Sequence, residues 1–299
     1  MRRKGQMDGT GAQTPWQRLG SKFTLGLRPR TEADWLPYDD AFGNKDTRTR
    51  QLAQKADLLD SRRDEVFACD GSHLAACTEV RNMVAAHLDS HHPATPPAAF
   101  PAGMHPLEQA ARVVPEDLLI LAPRVRGPDA DVLDWVLVAA ALAFPAHWVL
   151  AEKMGRPLAG IHEPVPHYGE RLERPMDRFF TAMKTGPISH RWNWSVVTTD
   201  HLFTPHRMRR MPLPENAGLG EIFLRMESQT LRKLPESGAI LFTIRTYVLP
   251  LSHWAGQEGA IESLVDMLAD MTPQMRAYKG VEMYEDALRA AVAKPAKPA

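Results

Sequence analysis

Cysteine is nearly absent from this chain: 299 residues contain only Cys69 and Cys77. Two cysteines cannot build a disulfide framework, and their spacing matches neither a Cys-x-x-Cys redox pair nor a zinc motif. The attachment sequence for covalent haem, Cys-x-x-Cys-His, is missing, so any haem has to be held by an axial side chain and pocket contacts. An excess of charge is also missing. The 36 basic residues balance the 36 acidic ones, which removes any global attraction to nucleic acid or to an anionic membrane. Long apolar runs are lacking: the richest, VLVAAALAFPAHWVLA (136–151), is broken by Pro145 and His147 and falls short of the roughly 20 residues that cross a bilayer. The opening MRRKGQMDGTGAQ leads into no apolar segment of a secretory signal, so a cytoplasmic protein is expected. There is no Gly-x-Gly-x-x-Gly, no Gly-rich phosphate loop and no Gly-x-Ser-x-Gly elbow. The chain thus shows no nicotinamide or flavin site of its own, and any redox chemistry here draws its electrons from elsewhere.

What is present reads as a folded α+β chain. Residues 1–22 and 294–299 are expected to be disordered tails. Residues 23–40 read as an extended segment and a turn. A helix is expected over 46–63, with Leu52, Ala56 and Leu59 on one face. Another starts at Ser72 as N-cap and carries Cys77, Val80, Val84 and Leu88. The proline-rich stretch 93–106 reads as a connector. VPEDLLILAP (114–123) and WVLVAAALAF (135–144) are short apolar runs with strand character.

A further helix is marked by Leu172, Met176, Phe179, Phe180 and Met183. Alternation follows in HRWNWSVVTT (190–199), EIFLRMES (221–228) and AILFTIRTYV (239–248). In the first of these, Trp192, Trp194 and Val196 face one way and Arg191, Asn193 and Ser195 the other. In the last, Ile240, Phe242, Ile244 and Val248 oppose Leu241, Thr243, Arg245 and Tyr247. TLRKLPESG between the last two strands predicts a connection longer than a tight hairpin. Two amphipathic helices are expected to close the chain, the first ending near Pro273 and the second spanning about 281–293. Helices, then an antiparallel sheet with one inserted helix, then helices again define an α+β domain rather than βαβ units.

Several side chains have the character of ligands. His87 and His91, at i and i+4 in HLDSHH, have zinc-ligand spacing, but they equally suit a solvated helix end. His162 stands in AGIHEPVPHYGERL, where Pro164 and Pro166 predict a stiff extended segment. Such a segment suits either an aimed metal ligand or a structural turn. His167 follows just beyond it, and His147 sits in a Phe-Pro-Ala-His-Trp turn. Arg191, Arg225 and Arg245 fall on the less apolar sides of their strands. Neighbouring strands would let them present guanidinium groups to an anion such as a haem propionate, or else form ordinary surface ion pairs, for example to Glu227.

VPEDLLIL, FPAHWVLAEKMGRPLAGIHEPVPHY, RWNWSV, FLRMESQTLRKLPESGAILFTIRTYVLPL and the opening LGLRPRTEADWLPYDD resemble, in this order, the family of the haem-dependent oxidative N-demethylase α subunit. The resemblance runs from about residue 23 to about 275. It implies one domain over 23–293 with a PAS-like core over about 107–251, and a non-covalent b-type haem. The implied activity is oxidative removal of a methyl group from a small secondary amine such as dimethylamine, using O2. The oxidised N-methyl carbon leaves as formaldehyde, and electrons come from NADPH through a separate flavin and iron–sulfur reductase partner. A haem-binding PAS-type sensor without turnover is the alternative on the same fold.

The resemblance makes His162 the axial iron ligand and assigns Arg225, Arg245, Arg191 and Asn193 to haem or pocket contacts. A cationic amine calls for a carboxylate or an aromatic face, with Glu163, Glu227 and the tryptophans as candidates. The chain departs from the family pattern at two places. Ser228 replaces an arginine, removing a cation and up to five donors. His167 replaces a glycine and adds an imidazole near the open iron position.

Overall fold

Alternating side chains build the sheet. The computed structural model describes residues 14–19, 26–92, 103–125, 133–163, 166, 173–206, 213–214 and 216–293. Its long strands are β5 (Ile188–Val197), β6 (Phe223–Lys233) and β7 (Ile240–Pro250), each richest where apolar and polar residues alternate. They join β3 (Asp117–Val125), β4 (Leu133–Ala141) and the short edge strands β1 (Arg28–Arg30) and β2 (Phe67–Cys69). The result is one seven-stranded sheet ordered β1-β5-β6-β7-β3-β4-β2, antiparallel at every pairing.

Register decides which residues share a face, because directly opposed residues point the same way. Arg191 opposes Gln229, Asn193 opposes Glu227 and Ser195 opposes Arg225. On the other side of β6, Arg225 opposes Val248, Glu227 opposes Thr246 and Ser228 opposes Arg245. Arg191, Asn193, Arg225, Glu227 and Gln229 therefore lie on one face, with Ile244 and Phe242. Ser228, Met226, Arg245, Tyr247 and Trp194 lie on the other.

Helices cover both faces. The first carries α6 (Leu150–Lys153), α7 (Leu158–His162) and α8 (Glu173–Ala182). Leu158, Met176 and Phe180 pack there on Leu121, Trp135, Leu231 and Ile240. Ile161 and Leu150 pack on Leu119 and Leu137, with Phe242 and Ile244 alongside. The second face is covered at its β3–β4 end by α2 (Lys45–Ser61), α4 (Leu74–His91) and α5 (Pro106–Val113). Its β5–β6 end carries α9 (Ala260–Ala269) and α11 (Glu285–Ala293), where Leu264, Leu268 and Leu288 meet Trp194, Met226 and Tyr247.

Several expectations from the sequence change. The buried stripe of α2 is Arg48, Gln51, Lys55, Leu58 and Leu59; Leu59 is buried as expected, but Leu52 and Ala56 are only half-buried, because Lys55 turns inward to donate to the carbonyls of Val114 and Glu116. Ser72 is not an N-cap. It lies in a short 3-10 turn capped by Asp70, and α4 begins after His73. Pro106 opens α5 at its first turn, where a missing N–H costs nothing. Thr230–Lys233 continue β6, so the connection to β7 is only residues 234–239. Met271 does not extend α9, and α10 (Pro273–Lys279) is a separate helix capped by Thr272. A 3-10 turn at Val281–Met283 then precedes α11.

Candidate functional site

α7 brings His162 to the Arg191 face. Leu158 and Ile161 anchor this short helix in the apolar cores under it, and Lys153 Nζ donates to the Ile161 carbonyl at 3.4 Å, a cation at a helix C-terminus. The expected stiff extended segment is not what holds His162. It is the last residue of a helical turn, and Glu163, ahead of Pro164, keeps helical angles (φ −46, ψ −39). Pro164, Val165 and His167 lie outside the described residues.

His162 Nδ1 is 2.9 Å from the carbonyl oxygen of Leu158. A carbonyl accepts only from a protonated nitrogen, so the proton sits on Nδ1 and the lone pair on Nε2. A backbone carbonyl on the second nitrogen is how metal-binding imidazoles are fixed in tautomer and direction. Burial first, then the cations Arg191 and Lys153, hold the imidazole below its ordinary range against the pull of the Leu158 bond. His162 is therefore neutral at pH 7, the state a metal ligand needs.

Glu227 is the hub of the sheet face. Its Oε2 accepts from Gln229 Nε2 at 2.9 Å and from Asn193 Nδ2 at 3.3 Å, and its Oε1 faces Arg225 Nε at 3.4 Å. Arg225 is 2% exposed and directs its remaining nitrogens to the carbonyls of Phe144 (2.5 Å) and Leu202 (3.2 Å). It braces the connections after β4 and β5. Arg191 is different. Burial depresses its pKa, Glu227 pulls it back, and its Nε is buried with no hydrogen-bond partner among the described residues.

Arg245 is not brought to this site. It lies on the opposite face, its Nη1 3.7 Å from Glu116 Oε1 with both side chains 2% exposed. The sequence could not separate Arg245 from Arg225, since both stand among apolar neighbours and only the β6–β7 register tells their faces apart. Ser228 also belongs to that opposite face, where its Oγ meets His190 Nε2 at 2.9 Å and receives Arg30 Nη1 at 3.2 Å. The replaced arginine position therefore does not look toward His162. Glu163 is exposed and pairs with Arg156 at 3.3 Å. Sequence reasoning passed over Gln229 and Lys153. Gln229 was detectable as the next same-side residue after Arg225 and Glu227, whereas Lys153 had no signal.

Of the two histidines, only His91 sits at a solvated helix end. His87 is 3% exposed and its ring stacks on His91 at 4.5 Å between centroids. His91 Nδ1 and His92 Nε2 bond the carbonyls of His87 and Leu36 instead of converging.

Above a sheet face of guanidinium, amide and carboxylate groups on this α+β scaffold, the neutral His162 imidazole has the chemistry of a metal or porphyrin ligand. The chain belongs to the family described as haem-dependent oxidative N-demethylase, alpha subunit-like, which it matches over residues 26–289. Haem dependence and oxidative N-demethylation are the properties that this family description carries. The residues fit such a group. His162 would supply the ligand nitrogen, the Nε of Arg191, unpartnered among the described residues, suits a carboxylate, and Leu119, Phe242 and Ile244 give the face an apolar floor. Among the described residues no helix is long and apolar enough to cross a membrane.

Proposed function

We propose that this protein is the haem-binding subunit of an oxidative N-demethylase for a small secondary amine such as dimethylamine. The observation that carries the reading is the 2.9 Å bond from His162 Nδ1 to the Leu158 carbonyl, which leaves Nε2 as the nitrogen without the proton in a chain of this family. Strands β3 to β7 follow the order second-first-fifth-fourth-third, with the α6–α8 segment inserted between the second and third. That connectivity supports a PAS-like core over about 107–251 within one domain over 23–293.

His162 holds the iron of a b-type haem without covalent attachment, since Cys69 and Cys77 lie against each other on β2 and α4, not beside His162. Arg191 binds a propionate, and Asn193 stays on Glu227. Arg225 fixes Glu227 in place. Glu227 accepts a hydrogen bond from the N–H of the amine at Oε1 or Oε2 and so orients its N-methyl group. Asn193 and Gln229 hold that carboxylate in place with two donors, an arrangement that costs no reorganisation during reaction. When bound, the haem supplies O2 activation and oxidation of the N-methyl carbon. Electrons come from NADPH through a separate flavin and iron–sulfur reductase, in keeping with the absence of nucleotide motifs.

The test is turnover. Haem-loaded protein with a surrogate flavin/iron–sulfur reductase, NADPH, O2 and dimethylamine is expected to release formaldehyde, with Glu227→Gln raising KM and leaving the haem spectrum unchanged. Bound haem with no formaldehyde from any small N-methylamine would overturn the enzyme reading and leave a haem-binding sensor.

A further inference from the structure

Cys69, Cys77 and His105 are far apart in the sequence and meet at the β2 edge of the sheet. Cys69 ends β2, which the sheet pins by pairing Cys69 with Ala139 of β4. Cys77 lies in the first turns of α4, fully buried, and His105 is the N-cap of α5. Their ligand atoms all lie within 4.8 Å of one another, and the two sulfurs are 3.6 Å apart. Cys69 and His105 line a recess bounded by Arg63, Phe67, Gly71 and Leu74, so the cluster is reachable from outside.

We propose that Cys69, Cys77 and His105 bind a single zinc ion through two thiolates and one imidazole, leaving the fourth position toward the recess. The sulfur separation, that of two thiols in hydrogen-bond contact, suits this geometry better than a disulfide. Two thiolates on a tetrahedral zinc, each about 2.3 Å from the metal, stand about 3.8 Å apart, close to the distance present. A disulfide requires about 2.05 Å, so the sulfurs would have to close by about 1.5 Å from a strand and a helix that are each held by packing. Charge agrees as well: two thiolates cancel a divalent ion, and among the described residues no other three-donor cluster of histidine, cysteine or acid converges in this way.

His105 Nδ1 accepts the Leu107 N–H at a long 3.2 Å, so ligation through Nδ1 exchanges a weak cap for a metal bond. The ion would tie β2, α4 and α5 together at one point. This site is independent of the haem reading, because His162 lies on the other face.

The experiment uses the full chain, reduced and treated with a chelator, then titrated with cobalt(II) as spectroscopic stand-in and with zinc(II) in competition. The expected result is a stoichiometric thiolate-to-cobalt charge-transfer band, displaced by zinc, lost in Cys69→Ser and at least ten-fold weaker in His105→Ala. Both variants should keep the wild-type circular dichroism. Cys77→Ser is uninformative alone because its site is fully buried, which is why the two outer ligands carry the test. A wild-type chain that shows no such band would overturn the proposal, as would a band that survives Cys69→Ser. A chain purified with a Cys69–Cys77 disulfide that withstands mild reduction would overturn it as well.

Discussion

The two faces of the sheet hold buried charge differently. On the Arg245 face Arg245 and Glu116 form a buried ion pair, although Arg245 Nε and Nη1 and both Glu116 carboxylate oxygens have no hydrogen-bond partner among the described residues. At the start of β3, Lys55 of α2 meets Asp117 at 3.8 Å while donating to two carbonyls, and Asp117 opposes Ile244, which puts it on the Arg191 face. Asp117 also accepts the backbone N–H groups of Ala143 and Phe144 at 2.8 and 3.0 Å. Around Glu227, on the Arg191 face, the charges are held but not closed. Glu227 is gripped by two amides and Arg225, and Arg191 keeps a buried nitrogen without a partner. The comparison teaches that leftover bonding capacity on a buried charge does not by itself mark function, since Arg245 and Glu116 keep it within an ion pair while Arg191 keeps it beside the amide-held Glu227.

The largest expected effect belongs to Lys55. Lys55→Met leaves Asp117 buried without its cation and should destabilise the fold by about 3–5 kcal/mol. Denaturant titration checks this, and adding Asp117→Asn should recover much of the loss because the two share one interaction. Recovery of nothing would mean that Asp117 works through its N–H bonds alone.

Arginines offer the sharper contrast. Arg191→Met should weaken haem retention about ten-fold, the loss of one charged hydrogen bond of about 1.5 kcal/mol, with the melting temperature nearly unchanged. Arg245→Met should do the reverse, lowering the melting temperature with the haem spectrum intact. Haem titration and thermal melts on both variants read the two outcomes, and equal behaviour would erase the distinction between the faces.

The smallest effect is the acid dependence of stability. Burial holds His190 at about 3 and His87 at about 4, well below the ordinary 6.5. As pH falls below 6.5 the unfolded chain takes up these protons before the folded chain does. The histidine contribution is thus complete above about 6.5 and is lost progressively toward 4 and then 3. Asp117, raised to about 6 by burial, works in the opposite sense, favouring the fold as it protonates. The His87→Phe variant should therefore lose about 1–2 kcal/mol less than wild type between pH 7 and pH 5 in denaturant titrations. An identical acid limb would show that His87 is protonated in the fold.

Much of this architecture was legible in the residues and some of it could not have been. Alternation in Arg191–Val197 and in Ile240–Val248 assigned strand and face correctly, because a half-buried strand must alternate. The relation between strands was not legible: whether Arg225 and Arg245 share a face depends on pairing Arg225 with Val248, a tertiary fact. The buried stripe of α2 misled for a related reason, since Lys55 and Arg48 are inside only because carbonyls at Val114, Glu116 and Val113 receive them. His162 was picked out by its motif, yet it ends a helical turn and is fixed by the Leu158 carbonyl rather than by an extended backbone at 162–163. Cys69 and Cys77 looked unrelated because their separation fits no linear motif, while a strand end and a helix start bring the sulfurs together.

The measurement that tests the central claim most directly is the absorption spectrum of protein produced with a haem precursor, wild type beside His162→Ala. A stoichiometric Soret band in the wild type that shifts or vanishes in the variant, with circular dichroism unchanged, is the predicted result. A wild-type chain without a Soret band, or a variant whose band is identical to wild type, would contradict the assignment of His162 as the residue that holds the iron.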